Sequence, residues 1–358
     1  MVAVLGEGLT AAVFFTAFMV VLFLGTRCLP GRWAEGAPLA DGSRERYRLN
    51  GMLLFSLCVL VVLVTALVRP TALAYPVRHW QALFVAANVF SLIAAVWLWA
   101  DGRQRRGPGA RSAAVDCFLG VRLNPKLAGV DLKMFAYRPS LIGLFLFNVS
   151  CAAAQGLEQG SLSQRMILYQ VMFFVYIANF FQFEEGMLFT WDVMSERFGW
   201  MLVWGDLVLV PFFYSLPGHV LIDVSAPLGA GQALLSTSAF LLGFWVFRGA
   251  NAQKHRFRRS GATHIWGRPA QTLEGRLLVS GFWGIGRKLN YTGEFLVYAA
   301  WTSLCGASSM LPYLVLLWLS VLFVHRARRD DRRCRAKYGE LWDRYCRKVR
   351  YRLVPFVY

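Results

Sequence analysis

The sequence predicts an all-α polytopic membrane protein of about nine to ten transmembrane helices, on three observations. First, 57% of the 358 residues are hydrophobic and only 16% are charged, with a mean hydropathy of +0.45. Charged residues supply about a quarter of an ordinary soluble chain, so a water-facing surface would be undersupplied here. Second, the charges lie between apolar stretches of spanning length and not within them. Third, Lys and Arg concentrate in four segments, 27–48, 103–138, 248–276 and 326–352, the positive-inside arrangement of cytoplasmic loops. That arrangement, with contact to anionic headgroups, accounts for the net charge of +18 without a nucleic-acid partner. With 28 Phe, 13 Trp and 13 Tyr the chain is too aromatic to be disordered, and its length excludes a small disulfide scaffold.

Taken in order, the stretch at 8–26 is the first span; it is of crossing length and lacks the basic start of a cleavable signal peptide. Stretches at 49–68, 79–100, 139–157 and 166–183 follow, each close to the roughly 20 residues that cross about 30 Å of hydrocarbon. The stretch at 198–216 is ordinary but for Asp206 near its middle, and 223–247 comes next. The last, 295–325, is long enough for two short crossings joined around 306–309 and Pro312. All are read as helices, because hydrocarbon offers open backbone no partner. Counting cations places the basic segments and the C-terminus in the cytoplasm, with the N-terminus outside for nine spans and inside for ten. Residues 1–137 then read as transmembrane helices with basic loops, and 138–358 as the region where polar residues enter or flank the spans and chemistry is expected. The seven cysteines form no CxxC pair and read as free thiols of a reducing compartment.

Ionisable groups inside a span cost roughly 2.5 kcal/mol or more, which makes them functional candidates. Tyr176 and Glu184 fall within roughly 80° of each other at about 100° per residue, so one helical face would let both line a cavity. Asp192, Glu196 and Asp206 follow, and a carboxylate such as Asp206 in hydrocarbon must find a partner or give up its charge. A hydrated acidic loop is the competing account of 184–196. In the segment 249–276, Lys254 and Arg258 are four apart and share a side if the helix continues past the bilayer, a pair suited to phosphate. Topological decoration explains the same run. In the tail, Asp330, Cys334, Lys337, Tyr338, Leu341 and Tyr345 project within about a 100° arc at helical spacing. That mixture of acid, thiol, amine and phenol reads as a wall touching a polar ligand with flat rings, although a helix lying on headgroups competes. No metal centre is expected.

These segments resemble the sterol reductase family, which includes 14-sterol reductases, 7-dehydrocholesterol reductase, 24(28)-sterol reductases and the membrane half of lamin B receptor. The likeness runs from about residue 116 to the end. It begins with Asp116-Cys-Phe-Leu-Gly120, Leu123-Asn124-Pro125-Lys126, Asp131-Leu-Lys133 and Arg138-Pro139, and continues through Phe198-Gly199, Gly205-Asp206-Leu207, Pro211 and Tyr214. Asn251-Ala-Gln-Lys254 with Arg258, Leu278-Val-Ser-Gly-Phe-Trp283-Gly284 and Asn290-Tyr291-x-Gly293 come next. The tail adds Arg329-Asp330, Cys334-x-x-Lys337-Tyr338-Gly339, Trp342, Tyr345 and Tyr351-Arg352-Leu353-x-Pro355.

The resemblance implies a helical enzyme of about ten spans that reduces a sterol carbon–carbon double bond with NADPH. A half-buried piece missed around 184–198 or 277–293 would supply the tenth span. Carried over position by position, the cofactor contacts fall on Lys254, Arg258, Leu278, Trp283, Asn290, Tyr291, Asp330, Cys334, Lys337, Tyr338 and Tyr345. No strand–helix context supports a glycine fingerprint at 281–286, so helices and their cytoplasmic extensions would bind the dinucleotide. An unconjugated alkene is a poor hydride acceptor, so proton delivery comes first or in concert, from an acid in a dry pocket. Tyr176 is the leading candidate for the group near the alkene, with Glu184 as proton source or relay and Asp206 in support. Family members carry Tyr-x-x-Asp-x-x-x-x-Glu in this span, whereas this chain has Asn179 in place of that Asp. The 14 position is the favoured double bond, with 7 and 24(28) as alternatives. The partners implied are a sterol within the bilayer, NADPH from the cytoplasm, and membrane lipid. The location implied is the endoplasmic reticulum of a eukaryote or the inner membrane of a bacterium.

Two other readings compete. A methyltransferase resembling the isoprenylcysteine carboxyl methyltransferases shares the tail architecture, but Arg287-Lys-Leu-Asn290-Tyr291-Thr-Gly293 departs from its Arg-His-Pro-x-Tyr-x-Gly segment. S-adenosylmethionine also carries no phosphate for Lys254 and Arg258. The third is a non-catalytic sterol-binding membrane protein.

Overall fold

Apolar runs bounded by charge become helices here because the helix satisfies its own backbone. The structure, a computed structural model, describes residues 2–38, 42–106, 111–261, 264–307 and 309–358. It is predominantly helical, and its contacts gather into two compact units, Met1–Ser225 and Ala226–Tyr358. Among the described residues six helices are long and apolar enough to cross a membrane: Gly6–Cys28, Gly51–Val68, Trp80–Arg105, Leu132–Gln159, Trp200–Ile222 and Ala230–Arg259.

The expected count was about nine, and the difference lies in three helices. Gln164–Gln182 occupies the 166–183 run and carries Arg165, Gln170 and Asn179. The 295–325 run is shared by Leu289–Thr302, which at 14 residues covers only about 21 Å, and by Tyr313–Tyr338, whose second half is charged. These two are separated by a 3-10 turn at Ser303–Cys305 and by Pro312, close to the expected joint; Ser308 lies outside the described residues. The piece at 184–198 holds short turns, Glu184–Phe189 and Trp191–Met194, and the piece at 277–293 holds the strand Leu277–Leu278, the turn Phe282–Ile285 and the start of Leu289–Thr302. The all-α expectation also needs amending, because among the described residues four two-stranded antiparallel hairpins connect the helices. The largest, Arg32–Pro38 with Arg44–Leu49, lies in the first basic segment.

In the first unit the Leu132–Gln159 helix is central, with 61% of its most apolar window buried inside the protein, against 22% for Gly51–Val68. The Asp131 carboxylate caps it by accepting the Met134 N–H at 2.9 Å. Buried polar groups on it are satisfied by neighbouring chain: the Gln155 side chain donates to Leu221 O at 2.7 Å, and Ser150 Oγ accepts the Val77 N–H at 2.9 Å. Two of the motif pieces meet directly. A Cβ on Gly199 would stand 2.2 Å from Gly120 N, so backbones from 116–120 and 198–199 touch as no other residue pair allows.

In the second unit Ala230–Ser260 and Leu289–Thr302 pack closely along their length. A Cβ on Gly293 would lie 2.5 Å from Phe247 N, which explains a small residue at that motif position. The tail does not form one helix: Tyr313–Tyr338 ends at Gly339, and Glu340–Lys348 starts anew. The single stripe expected from Asp330 to Tyr345 is therefore broken by a turn, and packing rather than periodicity holds its members together.

Candidate functional site

In the first unit, Tyr176 is half-buried on Gln164–Gln182, one turn before Phe180, whose ring stands 6.2 Å from that of Tyr137. Glu184 does not continue the face of Tyr176. The helix closes at Gln182, Phe183 leaves helical backbone at φ −116° and ψ 32°, and Glu184 opens a 3-10 turn. Its side chain is buried and fully engaged. Oε1 accepts from Arg138 Nε at 3.0 Å and Nη2 at 2.8 Å, while Oε2 accepts the Gly51 N–H at 3.0 Å. The following turn is held by Lys133, whose Nζ donates to the carbonyls of Asp192, Val193 and Glu196 at 2.8, 2.9 and 2.6 Å. Lys133 and Arg138, both from motif pieces, thus tie down the acidic segment. Above it, Ala34 and Tyr47 of the first hairpin pack on Leu188 and Val193. Asp206 is half-buried at the start of π-helical turns spanning Gly205–Phe213, which also contain Pro211. Such wide turns are rare and gather at functional sites. Asp192 is the charged neighbour that acts on Asp206.

The second unit brings three of the expected cofactor residues, Lys254, Leu278 and Tyr345, against Trp283, which is 6% exposed. Lys254 Nζ sits 4.6 Å above the Trp283 ring, whose Nε1 donates to Ala250 O at 2.8 Å. Leu278 packs on the same indole with Ile265. Because Ala230–Ser260 runs on past the apolar stretch, Lys254 and Arg258 do share a helix face. Lys254 lies within electrostatic reach of Lys288, Arg258, Cys334 and Arg333, and Arg258 within reach of Tyr338, Cys334 and Arg333. The Tyr345 O–H donates to Trp283 O at 3.2 Å, and burial pushes this phenol up, so it stays protonated. Its ring stacks on Trp342 at 4.9 Å, with Cys334 and Tyr338 packed on the same cluster. Lys337 and Arg276 each lie 5.2 Å from the Tyr338 ring centre. Asp330 pairs with Lys288, and Tyr291 stacks on Phe323 at 4.9 Å. Beside Lys288, Asn290 keeps a buried Oδ1 with no hydrogen-bond partner.

Sequence reasoning missed Lys288 and Arg333. Lys288 is 6% exposed, and burial pushes its ammonium down to about 8, helped by Arg258 and Arg287 and opposed by Cys334 and Asp331. Its place directly before the Asn290-Tyr291 motif was the available signal.

A family model described as the ergosterol biosynthesis ERG4/ERG24 family matches residues 5–358. The match includes residues 5–115, where no motif had been singled out. The chain is 38% identical to the Delta(14)-sterol reductase of Arabidopsis thaliana over 351 residues, 95% of this chain and 94% of that protein. It is 38% identical over 350 residues to the Delta(14)-sterol reductase of Methylotuvimicrobium alcaliphilum, 94% of this chain and 81% of that one. It is 39% identical over 344 residues to the Delta(14)-sterol reductase TM7SF2 of Mus musculus, 92% of this chain and 81% of that one.

Proposed function

The chain belongs to the ergosterol biosynthesis ERG4/ERG24 family, and from that premise we propose that it is an NADPH-dependent reductase of a sterol carbon–carbon double bond, at the 14 position. The observation that carries the reading is the cluster of Lys254, Arg258 and Lys288, with Lys254 over the Trp283 ring; two residues along the chain from Lys288, Asn290 has a buried Oδ1 without a hydrogen-bond partner among the described residues. Cations of this density suit a ligand with several phosphates, and buried aromatic faces suit its rings. A buried acceptor without a partner suits a ligand N–H or O–H. The relatives named Delta(14)-sterol reductase support the choice of double bond over the 7 and 24(28) alternatives. A multi-pass chain in the endoplasmic reticulum of a eukaryote or the inner membrane of a bacterium, its cationic end facing the cytoplasm, completes the proposal.

In this reading Lys254, Arg258 and Lys288 hold the phosphates, Asp330 orients Lys288, and Trp283 and Tyr345 fix the position of the rings. NADPH, when bound, supplies the hydride. Tyr176 would hold the phenolic proton delivered to the alkene, and Asp206 would return a proton to it. Glu184 enters with a changed part. A carboxylate that accepts two bonds from a guanidinium and one from an amide is an acceptor, so it anchors the acidic segment rather than supplying the proton. Asn179, which carries no acidic proton, stands where the family resemblance implies an Asp, and that places the demand on Tyr176 and Asp206.

Membranes from cells expressing the protein, fed separately with 14-, 7- and 24(28)-unsaturated sterols and NADPH, should yield a saturated product from the first alone. Product from none of the three would end the reductase reading. Lys254→Ala or Arg258→Ala should raise the NADPH requirement about 10- to 100-fold, the worth of a charge-assisted contact, and leave the sterol requirement within about twofold. Equal changes in both would contradict the phosphate role. Lys288 is charged below about 8 and loses its proton above, so dinucleotide affinity should weaken between pH 7 and 9. Lys288→Arg should flatten that profile, as read by titration of the purified protein.

A further inference from the structure

The second unit contains a cavity of about 510 Å³ that the proposed dinucleotide site does not use. Five guanidiniums line it, from Arg287, Arg328, Arg332, Arg335 and Arg352, around the single carboxylate of Asp331. On the Tyr313–Tyr338 helix these residues centre about 125° away from Asp330, Cys334, Lys337 and Tyr338, so the cleft opens on a different face. It is built rather than incidental. The tail closes against the chain before Leu289–Thr302, with Gly286 bridged to Tyr351 and the Arg287 N–H donating to Tyr351 O at 2.9 Å. Arg287 Nη1 donates to Val349 O at 3.3 Å, and Arg352 pairs with Asp331.

The decisive feature is Arg287, which is only 7% exposed. Its Nε has no hydrogen-bond partner, and the nearest counter-charge, Asp331, stands 3.7 Å from Nη2. A buried guanidinium N–H left open costs the full desolvation of that group, unless an acceptor reaches it. Arg335 also pairs with Asp343 at 3.1 Å, so two carboxylates face five guanidiniums and leave an excess of positive charge, and Arg forks match the oxygens of a phosphoryl group. The volume lies within the range of small-ligand pockets, roughly 300–1,000 Å³.

We propose that this cleft is a second anion site, separate from the proposed dinucleotide site, in which Arg287 and the surrounding arginines bind a phosphoryl group. The phosphoryl group belongs either to an anionic phospholipid headgroup or to a soluble phosphate, and the two sources share the chemistry of recognition.

The test uses the full chain, in detergent micelles and in phosphatidylcholine nanodiscs. Inorganic pyrophosphate is titrated into the micelles by calorimetry, and phosphatidic acid is added to the nanodiscs, with retained lipid counted by mass spectrometry. Arg332→Gln, at an exposed position, should weaken whichever ligand binds about tenfold, and Arg287→Gln should do so at least as much. Arg347→Gln, on an exposed neighbouring position outside the cleft, should leave binding within twofold. Pyrophosphate binding lost in Arg332→Gln assigns a soluble phosphate, and phosphatidic acid retention lost in the same variant assigns a lipid. Binding of neither probe, or binding that Arg332→Gln and Arg287→Gln leave unchanged, overturns the site. Displacement of either probe by NADPH, abolished by Lys254→Ala, would show the cleft to be part of the dinucleotide site and overturn its independence. That outcome is distinct from failure of the reductase reading, which sterol product analysis decides.

Discussion

Replacing Tyr176 by Phe is expected to lower turnover at least a hundredfold while leaving NADPH binding within about twofold of the parent. The size follows from the loss of a positioned proton donor, which contributes roughly 10²–10⁴ in rate. The direction follows from Asn179 and Glu184. The first has no acidic proton, the second is occupied by Arg138 and the Gly51 N–H, and Tyr169, the other phenol of this helix, donates to Asn148 Oδ1 at 2.7 Å, so the proton is assigned to Tyr176. Phe keeps the ring and its half-buried packing, which separates a chemical loss from a folding loss. Product formation per enzyme and a fluorescence titration with NADPH read the two quantities on one preparation. A Tyr176→Phe protein that turns over normally would remove the residue from the mechanism and leave Asp206 as the donor.

Glu184→Gln is expected to act on the fold before it acts on rate. The Arg138–Glu184 pair is buried on both sides, with side-chain exposures of 2% and 5%. Neutralising one member leaves a buried guanidinium without its counter-charge, which costs about 3–5 kcal/mol, a large share of the stability of an ordinary domain. The yield of monodisperse protein and the midpoint of thermal unfolding should both fall. The double variant Arg138→Met/Glu184→Gln removes both charges and should recover a good part of that loss. If Glu184→Gln instead folds normally and only turnover disappears, the carboxylate is the proton source after all.

These two residues also show how far the chain could be read without its fold. Charge spacing placed the apolar helices, and the motif residues around Lys254, Trp283 and Tyr338 were identified before they could be seen to gather on two indoles, Lys254 and Leu278 on Trp283 and Tyr338 and Tyr345 on Trp342. Lys133 and Arg138 were visible as motif letters but not as anchors, because their partners lie 46 to 63 positions away. Lys288 was passed over among basic neighbours, since burial is what distinguishes it and sequence does not display burial. The tail stripe failed at Gly339, where a helical period was carried across a turn.

Composition and the alternation of apolar stretch with cationic segment were enough to determine a helical membrane protein, since hydrocarbon admits little else, and ordered motifs were enough to determine its family. The tertiary structure alone decided which ionised groups face one another. It made Glu184 an anchor, joined Lys288 to the phosphate-suited cluster, and curled the tail so that five arginines share a cleft. Periodicity reports the face a side chain takes on its own helix, whereas charge and hydrogen-bonding roles depend on partners brought from elsewhere in the chain.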